Sequence, residues 1–347
     1  MNTEKNKILV TGGMGYIGSH TAVALIKKGF DVVIVDNLSN SSAFILDRIQ
    51  QITGVLPKFY EVDCCNINAL DKVFKTEKSI VACVHFAALK AVGESVEKPM
   101  LYYRNNLVSL LNVIDLQLQY QFPKLVFSSS CTVYGEPDFL PVTEKSPIKP
   151  ATSPYGNTKQ IGEEIISDIS RNSSLQAIAL RYFNPVGAHA SSLIGELPNG
   201  TPNNLVPYIT QTAIGKQPFL RVFGSDYNTP DGTCIRDYIH VEDVAAAHVA
   251  ALKRLLDVSD RPQFEFFNIG TGNGNTVLEV IQAFEKATGV KLPYRLYPRR
   301  EGDIEKVFAN TDLSNKVLGW KAELNIEQMM ASAWAWEQKN STLNIVI

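Results

Sequence analysis

The sequence predicts an α/β fold: a doubly wound parallel sheet with a second, smaller, loop-rich α/β domain. Three observations carry that expectation. Short β-branched runs alternate with longer helical patterns through the first half, the signature of strand–helix–strand units. The runs are almost continuously apolar, which suits strands covered by helices on both faces. The chain is 347 residues long, about twice one typical domain, and prolines and glycines crowd in after Asn184.

The strands are expected at Lys7–Thr11, Val32–Asp36, Phe59–Val62, Val81–Ala87, Leu125–Ser129 and Ala177–Phe183. Between them, Ile17–Gly29 and Pro99–Tyr120 place apolar residues at helical spacing. In the second of these, Leu107, Leu110, Leu111, Ile114 and Leu118 fall three or four residues apart. Beyond Asn184, Pro185, Gly187, Gly195, Pro198, Gly200, Pro202 and Pro207 indicate long loops that serve a site rather than fill a core. The expected division is a first domain over 1–183, joined by parts of 238–269, interleaved with a second over 184–347.

Composition narrows the function. With 33 basic and 35 acidic side chains the net charge is -2, so no cationic excess is available for nucleic acid. Apolar stretches such as Ile80–Leu89 fall well short of the roughly 20 residues that a membrane span needs. The polar start, Met1–Lys7, runs directly into a strand and predicts no signal peptide. Five cysteines, at 64, 65, 83, 131 and 234, form neither a disulfide framework nor a zinc pattern. Reduced thiols in a cytoplasmic protein are the expectation.

Thr11-Gly12-Gly13-Met14-Gly15-Tyr16-Ile17-Gly18 follows the first strand and precedes a helix. Gly13, Gly15 and Gly18 satisfy G-x-G-x-x-G, and Gly12, Gly15 and Gly18 satisfy G-x-x-G-x-x-G. Only glycine lets the backbone approach a pyrophosphate at a helix N-terminus, where free amides and the helix dipole favour anions. Asp36 closes the next strand 18 residues beyond Gly18. That context points to a dinucleotide-binding Rossmann unit. Asp36 is expected to accept hydrogen bonds from the adenosine ribose and to repel a 2′-phosphate. Neither Asn37 nor Leu38 is basic, so NAD is favoured over NADP.

Tyr155 and Lys159, four residues apart on a predicted helix, share one face. Ser128-Ser129-Ser130 ends a strand at the edge where open α/β sheets bind ligands. A tyrosine base needs its usual pKa of about 10 brought toward neutrality. Lys159 and a positive nicotinamide ring are both expected to stabilise the phenolate, with Ser130 bonding the reacting hydroxyl.

Together these features resemble the extended short-chain dehydrogenase/reductase family, and within it the UDP-glucose 4-epimerases. The stretches that carry the resemblance are Gly12–His20, His85–Ser95, Ser128–Gly135, Arg181–His189, Pro202–Leu205, Ile235–His240 and the run around Arg299–Asp303. The resemblance implies reversible inversion at C4 of UDP-galactose and UDP-glucose. Tyr155 would take the 4-hydroxyl proton while C4 passes hydride to bound NAD. A 4-keto sugar would then turn over and receive the hydride on its other face.

By the same resemblance Tyr16 and Ile17 give backbone amides to the pyrophosphate, and Asn37, Asn40 and Ser41 line the adenosine. Asp63 and Cys64 face the adenine. Lys90 and Asn105 border the nicotinamide half, with Phe86 and Phe183 also on the cofactor. Asn184, Asn203, Asn204, Leu205, Phe223, Arg236, Arg300, Asp303 and Val307 are the implied substrate residues, with Ser130 and Tyr155. Arginines suit a diphosphate because the guanidinium fork donates two hydrogen bonds at once. The alternative for Arg236 and Arg300 is ion pairing with Asp237 and Glu301.

His85 and His240 lack partners at metal-ligand spacing, so no metal site is expected. A 4,6-dehydratase would want Asp-Glu directly after the serine, where Cys131 and Thr132 stand. An NAD-binding regulator would not need Ser130, Tyr155 and Lys159 together. Val307 leaves more room beside the sugar than the tyrosine that can occupy its place, which predicts tolerance of UDP-N-acetylhexosamines. A homodimer is implied, with the helices around Pro99–Tyr120 and Tyr155–Arg171 as its interface.

Overall fold

The computed structural model describes residues 6–198, 200–300 and 302–342. The lead-in at Met1–Lys5 and the side chain of Glu301 lie outside them. The first half is a regular alternation. Its elements are β1 (Lys7–Thr11), α1 (Tyr16–Lys27), β2 (Asp31–Asp36), α2 (Phe44–Thr53), β3 (Lys58–Glu61), α3 (Ile67–Thr76) and β4 (Ile80–His85). Then come α4 (Val92–Glu97), α5 (Pro99–Gln119), β5 (Lys124–Ser130), a 3-10 turn at Cys131–Tyr134, α6 (Pro154–Asn172) and β6 (Gln176–Tyr182). The second half is shorter-grained: β7 (Asn184–Val186), α7 (Leu205–Ala213), β8 (Leu220–Phe223), β9 (Ile235–His240), α8 (Val241–Asp257) and β10 (Phe264–Ile269). It closes with β11 (Gly274–Thr276), α9 (Val277–Thr288), β12 (Tyr294–Tyr297), β13 (Lys306–Val307), α10 (Asp312–Leu318) and α11 (Ile326–Thr342).

Seven strands form one parallel sheet in the order β10-β6-β5-β4-β1-β2-β3. The order reverses between β1 and β4, and the crevice beyond the strand ends at such a reversal is where open sheets take ligands. The apolar runs divide by residue parity, because successive side chains on a strand face opposite ways. Ile8, Val10, Ile34, Val84, Val126 and Ile178 pack against α1 and α8 through Ala22, Val23, Val244 and Leu252. Leu9, Val33, Val35, Cys83, Leu125 and Ala177 face α3, α5 and α6 through Leu70, Val113, Ile114 and Ile166. Full burial of each such aliphatic side chain contributes about 1.5–3 kcal/mol.

β10 joins the first sheet although it lies far along the chain, beside β6 in parallel register from Phe264↔Ala177 to Ile269↔Tyr182. Around this sheet the remaining chain builds a second core from Val206, Ile209, Val222, Val280, Phe284, Met329 and Met330. A small sheet runs along β11-β9-β13, with β7 on β9, and β8 pairs β12. The expected strands stand within a residue or two of their observed ends. The β7–β13 pieces, two to six residues long, were not resolved from the sequence because such lengths carry little periodicity.

The outer end of the sheet is tied by a buried carboxylate. Glu77 accepts from Lys7 Nζ at 2.8 Å, Lys58 Nζ at 2.9 Å and the Tyr60 hydroxyl at 2.7 Å. Burial alone would raise its pKa, but these three donors outweigh it and hold the group at about 2 rather than 4.5. A depressed folded-state pKa gives stability that is complete above the unfolded value and is lost as pH falls through the folded one. Stability should therefore fall by up to about 3 kcal/mol as pH drops from 4.5 to 2. Urea titrations across that window should show the loss in the wild type and a distinctly flatter dependence in Glu77→Gln.

Candidate active site

The carboxyl ends of the central strands deliver most of the predicted residues to one rim. Gly12 follows β1, Asp36 ends β2, Asp63 follows β3 and Phe86–Lys90 follow β4. Ser130 ends β5, and Phe183 follows β6. Parallel pairing makes this unavoidable, since every strand runs toward the same edge.

The β1–α1 loop is built around close backbone contacts. Gly12 adopts φ +68, and a Cβ there would lie 2.7 Å from the Ala87 nitrogen. A Cβ on Gly18 would stand 2.1 Å from the Gly12 carbonyl oxygen. The loop therefore nests onto itself and onto the end of β4 only with glycine at both places. The N-terminus of α1 has Gly15 as its N-cap, which supplies no side-chain cap to the first amides. Asp36, buried at the end of β2, accepts from Met14 N at 3.0 Å, Leu38 N at 2.9 Å and Ser41 Oγ at 2.9 Å. A glycine-only cradle, an uncapped helix start and a carboxylate one strand away fit a dinucleotide. Asn37 and Asn40 are exposed beside them, and Asn37 accepts from Ser39 N at 3.1 Å. Asp63 is exposed, whereas the Cys64 side chain packs into the core, which leaves only its backbone for a ligand. Lys90 lies 5.6 Å from the Tyr16 ring centroid, and Phe86 stacks obliquely on His248 at 4.6 Å. Asn105 lies on α5 and hydrogen-bonds its neighbour Asn106 at 3.0 Å.

Ser130, Tyr155 and Lys159 converge as expected. Ser153 caps α6 by accepting from Gly156 N at 3.1 Å, and Pro154 opens its first turn. That start places Tyr155 beside the end of β5 and Lys159 one turn deeper. Burial pushes the Tyr155 hydroxyl up to about 12, the Ser130 hydroxyl opposes it, and Cys131 adds to the rise. Lys159 Nζ donates to the Ser128 carbonyl at 2.6 Å and stands 5.8 Å from the Tyr155 ring centroid. Its own pKa is pulled to about 8 by burial, against the opposing charge of Glu163. Burial also pushes the neighbouring Cys131 thiol up to about 12, with Arg236 lowering it and Asp237 raising it.

Behind this trio lies a buried polar network that sequence reading missed. Glu163 accepts from Ser129 Oγ at 2.5 Å and from Arg181 Nε at 2.9 Å. Arg181 also donates to the Tyr134 hydroxyl at 2.9 Å, which in turn donates to Asn268 Oδ1 at 2.7 Å. His85 shares a hydrogen bond with Thr11 Oγ1 at 2.8 Å, and His240 caps α8 by accepting from Glu242 N at 3.0 Å.

The second lobe brings the other predicted residues toward the same rim. Arg236 on β9 is level with Val307 on β13, and Asn184 on β7 is level with Tyr238. Arg236 stands 4.0 Å from Asp303, and Arg300 holds Asp303 at 2.7 Å. Asp237 does not pair with Arg236; strand alternation turns it inward, where it accepts from Thr271 N, Gly272 N and Ala309 N. Phe223 lies 5.9 Å from Tyr297, with the Arg300 guanidinium 5.7 Å from its ring. Val307 is buried with Phe183, Val133 and Tyr134, and Cys131 packs against that cluster. Asn203 and Asn204 are exposed just before α7, and Leu205 begins it.

The family model described as the NAD dependent epimerase/dehydratase family matches residues 8–270. The chain belongs to this family. A curated relative, UDP-glucose 4-epimerase 2 of Arabidopsis thaliana, is 51% identical over 96% of this chain and 95% of its own. A crystal structure of UDP-glucose-4-epimerase from Stenotrophomonas maltophila, with bound NAD and formylated UDP-arabinopyranose, superimposes with a TM-score of 0.93. It is 47% identical and is covered over 97% of this chain and 99% of its own. The UDP-Glc/GlcNAc 4-epimerase from Campylobacter jejuni is similar at 37% identity and a TM-score of 0.82, over 96% of this chain and 99% of that one.

In this member of the epimerase family the cradle makes a direct prediction. Gly18→Val, which forces a Cβ to 2.1 Å from the Gly12 carbonyl, should yield protein without bound dinucleotide. The ratio of absorbance at 260 and 280 nm after gel filtration, against the wild type, reads the loss.

Proposed function

We propose that the protein interconverts UDP-galactose and UDP-glucose by inversion at C4, with NAD as a bound cofactor that is unchanged overall. The observation that carries this reading is the convergence of Ser130, Tyr155 and Lys159 at the sheet rim beside the glycine cradle. The near-full-length likeness to UDP-glucose 4-epimerases supports it. When bound, NAD supplies reversible hydride acceptance and a positive nicotinamide ring.

Tyr155 is the acid/base that takes and returns the proton of the 4-hydroxyl. Ser130 hydrogen-bonds that hydroxyl and steadies the developing charge. Lys159, fixed on the Ser128 carbonyl, holds the strand end against α6. Lys159 and the positive ring that NAD supplies when bound would both favour the phenolate, giving the drop in the Tyr155 pKa that catalysis at neutral pH requires. Gly12, Gly15, Tyr16, Ile17 and Gly18 hold the pyrophosphate, and Asp36 and Ser41 the adenosine ribose. The seven-stranded sheet with its helices serves the dinucleotide. The lobe built on β7–β9 and β11–β13 serves the nucleotide sugar, with Asn184, Asn204, Arg236, Arg300 and Asp303 on the UDP. Gripping the UDP while leaving the sugar loose lets the 4-keto intermediate present either face.

Incubation with UDP-galactose and no added NAD should give UDP-glucose, and UDP-N-acetylgalactosamine should also turn over because Val307 is small. Tyr155→Phe should lower kcat by about 10²–10⁴-fold with both substrates. Absence of conversion even with NAD supplied overturns the substrate assignment.

The reading includes a homodimer formed through α5 and α6. Leu101, Val108 and Leu111 leave an apolar stripe exposed on α5 beside α6. Light scattering should give twice the chain mass, and Val108→Glu with Leu111→Glu should halve it.

A further inference from the structure

Asn268 on β10 is fully buried, and both ends of its side chain are engaged. Its Oδ1 accepts from the Tyr134 hydroxyl at 2.7 Å, and its backbone N donates to Glu144 Oε1 at 2.7 Å. Its Nδ2 donates to the Val142 carbonyl at 2.9 Å and reaches the Asn310 carbonyl at 3.4 Å. Arg181 Nη1 already donates to the Tyr134 oxygen at 2.9 Å, so the hydroxyl hydrogen turns to Oδ1. That leaves Nδ2 for the two carbonyls. An amide serves both sides, whereas a carboxylate could only accept and an aliphatic chain could do neither.

The two carbonyls belong to segments outside the large sheet. Val142 lies in the long connection between Ser130 and Tyr155, and Asn310 lies just past β13. They meet in a short parallel ladder. Val142 N donates to the Phe308 carbonyl at 2.9 Å, and Asn310 N to the Val142 carbonyl at 2.7 Å. β13 is only two residues long and pairs with β9 in parallel, which by itself fixes little. The ladder extends its support, and Asn268 ties the ladder to β10. Val142 and Ala309 also share one buried cluster with Phe183 and Val307, against which Cys131 packs.

We propose that Asn268 is a positioning residue that sets the wall at Val307 against the Ser130–Tyr155 end of the sheet. The inference rests on the proposed function, in which Val307 borders the sugar. The work of that wall is retention. Once the 4-hydroxyl proton is on Tyr155 and the C4 hydride on NAD, the 4-keto sugar is held through its UDP while it turns over. If it swings clear and departs, the proton and the hydride both stay behind, and the enzyme is stranded with reduced nicotinamide. A wall fixed through Asn268 keeps C4 within reach of the returning hydride.

The test compares Asn268→Leu and Asn268→Thr with the wild type. Leucine has no polar side-chain atom. The threonine hydroxyl, one atom nearer the backbone, cannot bond Tyr134 and Val142 together. In both variants, hydrogen–deuterium exchange in peptides spanning Val142 and Asn310 should quicken by about tenfold. With UDP-galactose, absorbance at about 340 nm should build up roughly tenfold faster relative to turnover than in the wild type. The Kd of UDP by calorimetry should stay within about twofold, because Arg236 and Arg300 are untouched. The unfolding midpoint checks the fold. Should the leucine variant fail to fold, Asn268→Thr, whose branched side chain suits a strand, carries the comparison. A lowered midpoint with exchange at Val142 and Asn310 unchanged, or with no faster rise in absorbance, overturns the inference alone. A wild type that neither binds UDP nor converts UDP-galactose overturns the proposed function, and the role of the wall with it.

Discussion

The buried pairing of Glu163 with Arg181 is the interaction on which the site's geometry depends. Glu163 comes from α6, one turn beyond Lys159, and Arg181 from β6, while Ser129 joins from β5 next to Ser130. The chain continues through Tyr134 to Asn268 on β10. Five separate segments are thus held in one register by charge-assisted hydrogen bonds, with Arg181 also stacked 4.1 Å from the Phe266 ring. Burying the two charges costs desolvation that their attraction only partly offsets. What the pair supplies is a unique arrangement, because any slip of α6 along the sheet would strand an uncompensated charge.

From that anchor the division of labour follows. The parallel sheet brings the glycine loop, Asp36 and Ser130 to one rim by topology alone. The second lobe adds residues from strands too short to stand by themselves, so its geometry rests on α7, α9 and α11 packing around Val280, Phe284 and Met330. The long regular elements therefore lie in and around the seven-stranded sheet, while the second lobe joins short strands through longer loops.

How much was legible depended on whether a residue's meaning is local. Gly12, Gly15, Gly18 and Asp36 could be placed because a tight turn before a helix and a strand end are both written in adjacent residues. Tyr155 and Lys159 were legible through helical spacing. The direction of the Lys159 ammonium was not, since it turns on the carbonyl of Ser128 in another element. Glu163, Arg181 and Asn268 carried no signal: each is an ordinary polar or charged residue until its partner is brought to it, 18 positions away for Glu163 and Arg181 and 126 for Val142 and Asn268. The pieces of the second lobe were hidden for a different reason, β13 being two residues long and β7 and β11 three each. Cys64 was set beside the adenine by the resemblance alone, and that its side chain packs into the core was not legible from its place after β3.

The state of Cys131 has a consequence for handling and for chemistry alike. Its sulfur adjoins Ser130, yet burial pushes its pKa up to about 12, which favours the neutral thiol across the physiological range. Only the thiolate attacks disulfides, peroxides or alkylating agents at useful rates. The position thus contributes the volume of a small apolar side chain and little reactivity. A site whose work is electron-pair traffic between carbon and a nicotinamide is in this way insulated from the thiol–disulfide balance of its surroundings.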